Sequence, residues 1–251
     1  MPRSSEDWHA RFSQQAGWTS QLRRYLLSRL SLSGNSRILE VGCGTGVITA
    51  ALNSETSAGI YGLDLNLSFL HLARQYDRNT AYCGGNALEL PFPGSVFDAV
   101  VCHFFLLWVS QPGLALGEMA RVTRPGGSVI AFAEPDYGGR IDYPPPLDGL
   151  GRWQTMALRR QGANPLQGRE LARLFRAAGL QDIETGVLGG QWPGRPNPAE
   201  IESEWAMIEA DLAGLVPRER LAELQKIDLD SWQAGERVLF VPTFYAAGKK
   251  P

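Results

Sequence analysis

Ile38-Leu39-Glu40-Val41-Gly42-Cys43-Gly44-Thr45-Gly46 decides the reading of this chain. An apolar run rich in β-branched residues is broken by one acid and passes into three glycines at alternate positions. Val47, Ile48, Ala50, Ala51 and Leu52 then resume at helical spacing. This is the pattern of a buried strand, a tight loop and a helix start. Glycine is needed where the backbone takes positive φ, or where a ligand comes closer than a Cβ permits. Ligands of open α/β sheets sit outside the carboxyl ends of the strands, so this loop is a binding site by position.

The loop does not carry a phosphate-binding signature. A dinucleotide fingerprint, G-x-G-x-x-G, would place its third glycine where Val47 stands, and no glycine-lysine-serine/threonine sequence follows. A ligand without phosphates fits better. Gly59 to Asp64 reads as a second strand that ends in an acid 18 positions after Gly46. At about that separation an acid accepts from ribose hydroxyls. Asp64 takes that role here, with Leu65 and Asn66 lining the pocket after it; the plainer alternative is that Asp64 caps the next helix.

Two further segments complete the pattern. Gly84-Gly85-Asn86-Ala87-Leu88-Glu89-Leu90-Pro91-Phe92-Pro93 precedes the apolar strand Phe97 to Cys102, and Pro125-Gly126-Gly127 introduces Ser128 to Phe132. In this order the four segments resemble the motifs of class I S-adenosylmethionine-dependent methyltransferases, most of all the bacterial group related to quinone-biosynthesis C-methyltransferases. The motifs cover residues 37 to about 134, and the remainder matches only by layout.

The resemblance implies an α/β fold: a Rossmann-like seven-stranded sheet, mostly parallel with an antiparallel last strand, helices on both faces. It implies S-adenosyl-L-methionine as cofactor and in-line methyl transfer to a small-molecule acceptor. Glu40, Gly42, Cys43, Gly44 and Gly46 would embrace its methionine end. Asp64, Leu65 and Asn66 would meet the ribose, and Asn86, Ala87 and Leu88 the adenine. Asn86 departs from the family, which has an acid there; its carbonyl still accepts a hydrogen bond. Trp18, with Trp8 and Phe12, would close over the cofactor, and Arg11 would reach the methionine carboxylate. His103, just past the fourth strand, is the candidate general base and also a cofactor contact. His103, Phe104 and Phe105 would border the methyl on one side, with Glu134, Asp136 and Tyr137 on the other. Two rival readings are an NAD-type oxidoreductase and a cofactor-binding module that has lost catalysis.

Composition excludes other classes. Across 251 residues, 44% are hydrophobic and 20% charged, with a net charge of −2, so nothing favours nucleic acid as a partner. The longest apolar stretch, Ala99 to Val109, is interrupted by His103 and is too short to span a bilayer. Met1 to Asp7 is polar and lacks a signal-peptide core. Cys43, Cys83 and Cys102 form neither a disulfide framework nor a metal-ligand pattern, as suits a cytoplasmic protein without metal.

Helical spacing of Trp18, Leu22, Tyr25, Leu26 and Leu30 predicts one amphipathic helix within an N-terminal segment, 1–32. Strands are predicted near 37–41, 59–64, 80–83, 97–103, 128–134, 182–188 and 238–247. Residues 135–146 read as a loop with a Gly138-Gly139 hinge. Asn197-Pro198-Ala199-Glu200 starts a helix, paired with a second over Arg218 to Trp232. The chain reads as a single domain over 1–251, with 135–146 and 197–234 as substrate-lid insertions.

Overall fold

A computed structural model describes residues 4–189 and 197–251; the first three residues of the N-terminal segment lie outside them. β1 (Arg37–Val41) is central. It pairs in parallel with β2 (Gly59–Asp64) on one side and β4 (Phe97–Cys102) on the other. β3 (Ala81–Gly84) lies beyond β2, and β5 (Thr123–Pro135) beyond β4. β9 (Thr243–Lys249) inserts antiparallel between β5 and β7 (Gln181–Leu188). The seven-stranded order is β3-β2-β1-β4-β5-β9-β7, with one antiparallel strand.

Successive side chains of a strand face opposite sides, so the apolar run 38–41 feeds two cores. Leu39 and Val41 join Val100, Val129 and the helices α5 (Pro112–Val122) and α7 (Leu171–Ala177). Ile38 joins Ile60, Val101 and the helices α2 (Ser20–Ser28) and α3 (Val47–Glu55). Helices therefore cover both faces, and α4 (Leu67–Tyr76) packs on β2 and β3. No helix of the described residues is long and apolar enough to cross a membrane.

The N-terminal helix is two helices. α1 (Ser5–Trp18) opens with a Ser4/Asp7 capping box and ends at buried Thr19, after which α2 begins. The Thr19 hydroxyl lies 3.3 Å from the Ala16 carbonyl, back-bonding of a kind that bends helices.

The strand expected over 238–247 is likewise broken. Pro242 has no N–H to give a ladder, so β8 (Val238–Phe240) leaves the main sheet and pairs with β6 (Ile141–Tyr143). Residues 135–146 are thus partly strand rather than loop. Its two glycines are close-packed: a Cβ on Gly138 would lie 2.7 Å from Leu166, and one on Gly139 2.9 Å from Pro242.

α6 (Gly149–Arg160), α8 (Pro198–Leu212) and α9 (Arg218–Ala234) share a third core around Leu150, Trp205, Ile208 and Leu224. A buried charge network fastens it. Arg237 pairs with Asp142 at 2.7 Å and Asp228 at 2.5 Å, Arg140 pairs with Asp142 at 2.6 Å, and Asp228 accepts from the Trp205 indole at 2.8 Å. Removing one partner of a buried pair strands the others. Arg237→Leu should therefore cost about 3–5 kcal/mol in urea unfolding; a loss below about 1 kcal/mol would show that the network adds nothing beyond surface pairing.

Candidate active site

All three loop glycines have positive φ, at 74° for Gly42, 53° for Gly44 and 82° for Gly46. Each also admits an aromatic ring. A Cβ would fall 2.1 Å from Phe105 at Gly42, 2.9 Å from Phe12 at Gly44 and 2.5 Å from the Tyr82 hydroxyl at Gly46. The end of β2 fixes the loop. The Leu63 carbonyl accepts from Gly42 N at 2.8 Å and Cys43 N at 2.9 Å, and the Asp64 carboxylate accepts from Gly44 N and Asn66 N, both at 2.8 Å.

Glu40 lies beneath this loop, 2% exposed, with Oε2 lacking any hydrogen-bond partner. Burial, aided by the nearby Asp64 charge and opposed by Arg23, pushes its pKa up to about 8. A buried acceptor without a donor is costly unless a ligand supplies one.

Glu40, Gly42, Cys43, Gly44, Asp64 and His103 line one cavity of about 400 Å³. α1 roofs it with Trp8, Phe12 and Gln15. That helix is held by His9, whose Nδ1 lies 2.9 Å from the Thr45 hydroxyl and whose ring stacks on Tyr76. A second cavity, of about 260 Å³, adjoins the first: Trp8, Phe12, Gln15, Phe104, Trp108 and Gln161 line both. The second continues to Trp18, Arg11, Tyr137, Arg140, Gln154 and Glu204.

The wall shared by the cavities hangs on Glu134, at the end of β5. Its carboxylate accepts from Phe105 N at 2.9 Å, Leu106 N at 2.7 Å and Leu107 N at 3.1 Å. Phe104, immediately before, takes φ of +47°, an unusual conformation for an aromatic residue. His103 Nε2 lies 2.9 Å from the Thr19 hydroxyl, and burial, with the Arg23 charge, lowers its pKa to about 3.

Other expected residues fall elsewhere. Gly46 packs on Tyr82 behind the loop. Leu65 is 75% exposed, and Asn66 caps α4 through Ser68 N and Phe69 N. Asn86 accepts from Leu88 N at 3.0 Å, while Ala87 and Leu88 pack in or against the core. None of these six lines the first cavity. Trp18 and Arg11 line the second cavity instead, the guanidinium 5.0 Å from the Trp18 ring. Asp136 is tied to Arg169 and Gly138 N. The sequence reading missed Gln15, Gln154 and Gln161. The last two stand seven apart, a helix-face spacing that would have found them.

The family described as "Methyltransferase domain" matches residues 39–131. A demethylmenaquinone methyltransferase of Renibacterium salmoninarum is 32% identical over 169 residues, 66% of this chain and 70% of that protein. That of Geobacillus stearothermophilus is 32% identical over 182 residues, 64% and 78% of the two chains. The chain belongs to the class I S-adenosylmethionine-dependent methyltransferases. It is therefore an enzyme whose cofactor is S-adenosyl-L-methionine, and the NAD-type reading falls.

Solved methyltransferase structures share the fold. The protein in complex with the Haloferax volcanii Trm112 methyltransferase activator superposes with a TM-score of 0.64 at 19% identity, covering 98% of this chain and 96% of that one. Haemonchus contortus phosphoethanolamine N-methyltransferase 2 with S-adenosyl-L-methionine gives 0.60 at 18%, covering 91% and 52%.

Gly44→Val would force a branched side chain into positive φ and against Phe12. The variant's melting temperature should no longer rise with S-adenosylhomocysteine, whereas the parent's should. A retained shift would show that the loop does not touch the ligand.

Proposed function

We propose that this methyltransferase acts on a small molecule held in the second cavity, its reacting atom at the junction marked by Phe104 and Trp108. The observation that carries this is the pair of adjoining cavities, one at the glycine loop and one beside it, sharing a wall. The relatives named for demethylmenaquinone, and neighbours named for phosphoethanolamine and geranyl diphosphate, support an acceptor of this size class.

The cofactor, when bound, supplies an electrophilic methyl on a sulfonium. The fit rests on the unpartnered Glu40 oxygen and on the glycine cradle. We assign Glu40, Gly42, Cys43 and Gly44 to the methionine end, with Glu40 accepting from its ammonium and Gly46 shaping the loop from behind. Asp64 takes the ribose, with Leu65 and Asn66 following it outside the cavity: each Asp64 oxygen has spent one lone-pair direction on the backbone and keeps another. The adenine side falls to Asn86, Ala87 and Leu88 only if their loop opens, since they lie outside the first cavity. His103, held neutral and joined to Thr19, positions the wall and α1 rather than accepting a proton at neutral pH. Residues 135–146 and 197–234 serve as the cover that shapes the acceptor site. What these residues contribute is alignment and exclusion of water.

Three measurements test this. With a pKa near 8, Glu40 is mostly protonated in the free protein at pH 7; an ammonium placed beside it favours the carboxylate. Binding of S-adenosylhomocysteine should release close to one proton, read from calorimetry in buffers of different ionisation enthalpy. Glu40→Gln should abolish the release, and equal enthalpies for the parent would reject the role. The same shift makes Glu40's contribution to free-protein stability fully present below about pH 4.5 and lost as pH rises through 8, so Glu40→Gln should flatten that fall.

Asp64→Ala should weaken S-adenosylhomocysteine binding by about 1–3 kcal/mol, because it removes a charged acceptor. NAD should produce no heat with either protein. Unchanged affinity in a folded variant would remove Asp64 from the ribose site.

A further inference from the structure

The remote end of the second cavity is rich in hydrogen-bond donors. Arg11, on α1, has a side chain 9% exposed. Its Nη1 is spent on Gln14 and Glu204, and its Nε has no partner. Arg140, following β5, is 4% exposed. It gives Nε and one Nη2 hydrogen to Asp142 and one Nη1 hydrogen to Gln154, which leaves one N–H on each terminal nitrogen. Gln154, on α6, is 5% exposed; with its oxygen taken by Arg140, it offers its NH₂. Tyr137, held protonated by burial, adds a phenol beside them.

The charged groups here are already engaged, Asp211 accepting from Gln161. Glu204 is matched to Arg11, and Asp142 to Arg140 and Arg237. Among the described residues, N–H groups left over in a wall of engaged charges suit a guest that brings several acceptor lone pairs with no more than one delocalised negative charge. A carboxylate has about four such sites, and guanidinium forks match its plane. A cationic group would have to compete for Glu204 and Asp211, which share this wall but are already engaged by Arg11 and Gln161, and a phosphate monoester would bring a second charge into a half-enclosed, partly apolar site.

We propose that the methyl acceptor carries a carboxylate at the end remote from the methylated atom, bound by Arg11 and Arg140 with Gln154 beside them. This rests on the second cavity being the acceptor site. Because Arg11 lies on α1, Arg140 after β5 and Gln154 on α6, the anchored carboxylate bridges the roof of the site to its cover.

The full-length protein is first titrated with S-adenosylhomocysteine. The saturated complex is then titrated with 3-phenylpropanoate, its carboxamide, 3-phenylpropylamine and 2-phenylethyl phosphate. No heat in the first step would overturn the functional reading and, with it, this assignment. Given cofactor binding, the carboxylate should bind about tenfold or more tightly than its carboxamide, and the amine should not bind. Arg11→Met, checked for an intact melt and unchanged S-adenosylhomocysteine affinity, should lose about tenfold for the carboxylate and little for the carboxamide. Carboxamide binding equal to carboxylate, a preference for the amine, or tighter binding of the phosphate would each overturn the proposal, whatever the variant's stability.

Discussion

Glu134 sits at the carboxyl end of β5 with no exposure to solvent, and its two oxygens receive three successive backbone N–H groups, those of Phe105, Leu106 and Leu107. Burying a carboxylate costs several kcal/mol, and burial raises the Glu134 pKa to about 7 despite those bonds. Each bond to a charged acceptor returns about 1.5–3 kcal/mol. The N–H groups belong to the first turn after β4 and would otherwise be orphaned, as at any helix start. The clamp holds Phe104 at positive φ, a conformation worth about 1–3 kcal/mol of strain that persists only when its surroundings over-determine it. Both cavities inherit their common wall from this one side chain.

The opposite surface is supplied by α1. Trp8, Phe12 and Gln15 line both cavities, so one face of one helix roofs two sites. α2 is fixed more firmly, since Arg23 forms a two-point pair with Glu55 of α3 at 2.9 Å for each bond. The joint between these helices is Thr19, and His103 grips it from the end of β4. His103, which the sequence offers both as a base and as a wall or cofactor contact, joins the roof to the sheet through this bond.

The sheet was legible because its signals are local. A buried strand, its glycine loop and the acid of the next strand lie within 27 residues, Ile38 to Asp64, and each has a periodicity or a turn chemistry of its own. Pro242 was visible too, yet the apolar residues around it masked the break it imposes. The second cavity had no such trace. Arg11, Tyr137, Arg140, Gln154 and Glu204 come from segments spread over almost 200 positions, and only the tertiary fold brings them together. Trp18 and Arg11 stand in a segment that the sequence resemblance places over the cofactor. They reach the other cavity because α1 spans both, and its spacing of three and four residues carries Arg11 and Trp18 beyond the boundary.

The position of β9 has a consequence for how the chain assembles. Among the described residues β7 has no strand partner except β9, which lies more than fifty residues further along, and β9 in turn fills the gap beside β5. During synthesis, β1 to β5 with the glycine loop can pair as they emerge, but β7 must wait. Until β9 arrives, the edge of β5 and both edges of β7 expose unpaired backbone groups, the usual template for association with other chains. The half of the sheet that carries the glycine loop is thus early and self-sufficient. The half beside the second cavity is late, and the nascent chain is most vulnerable to aggregation in that interval.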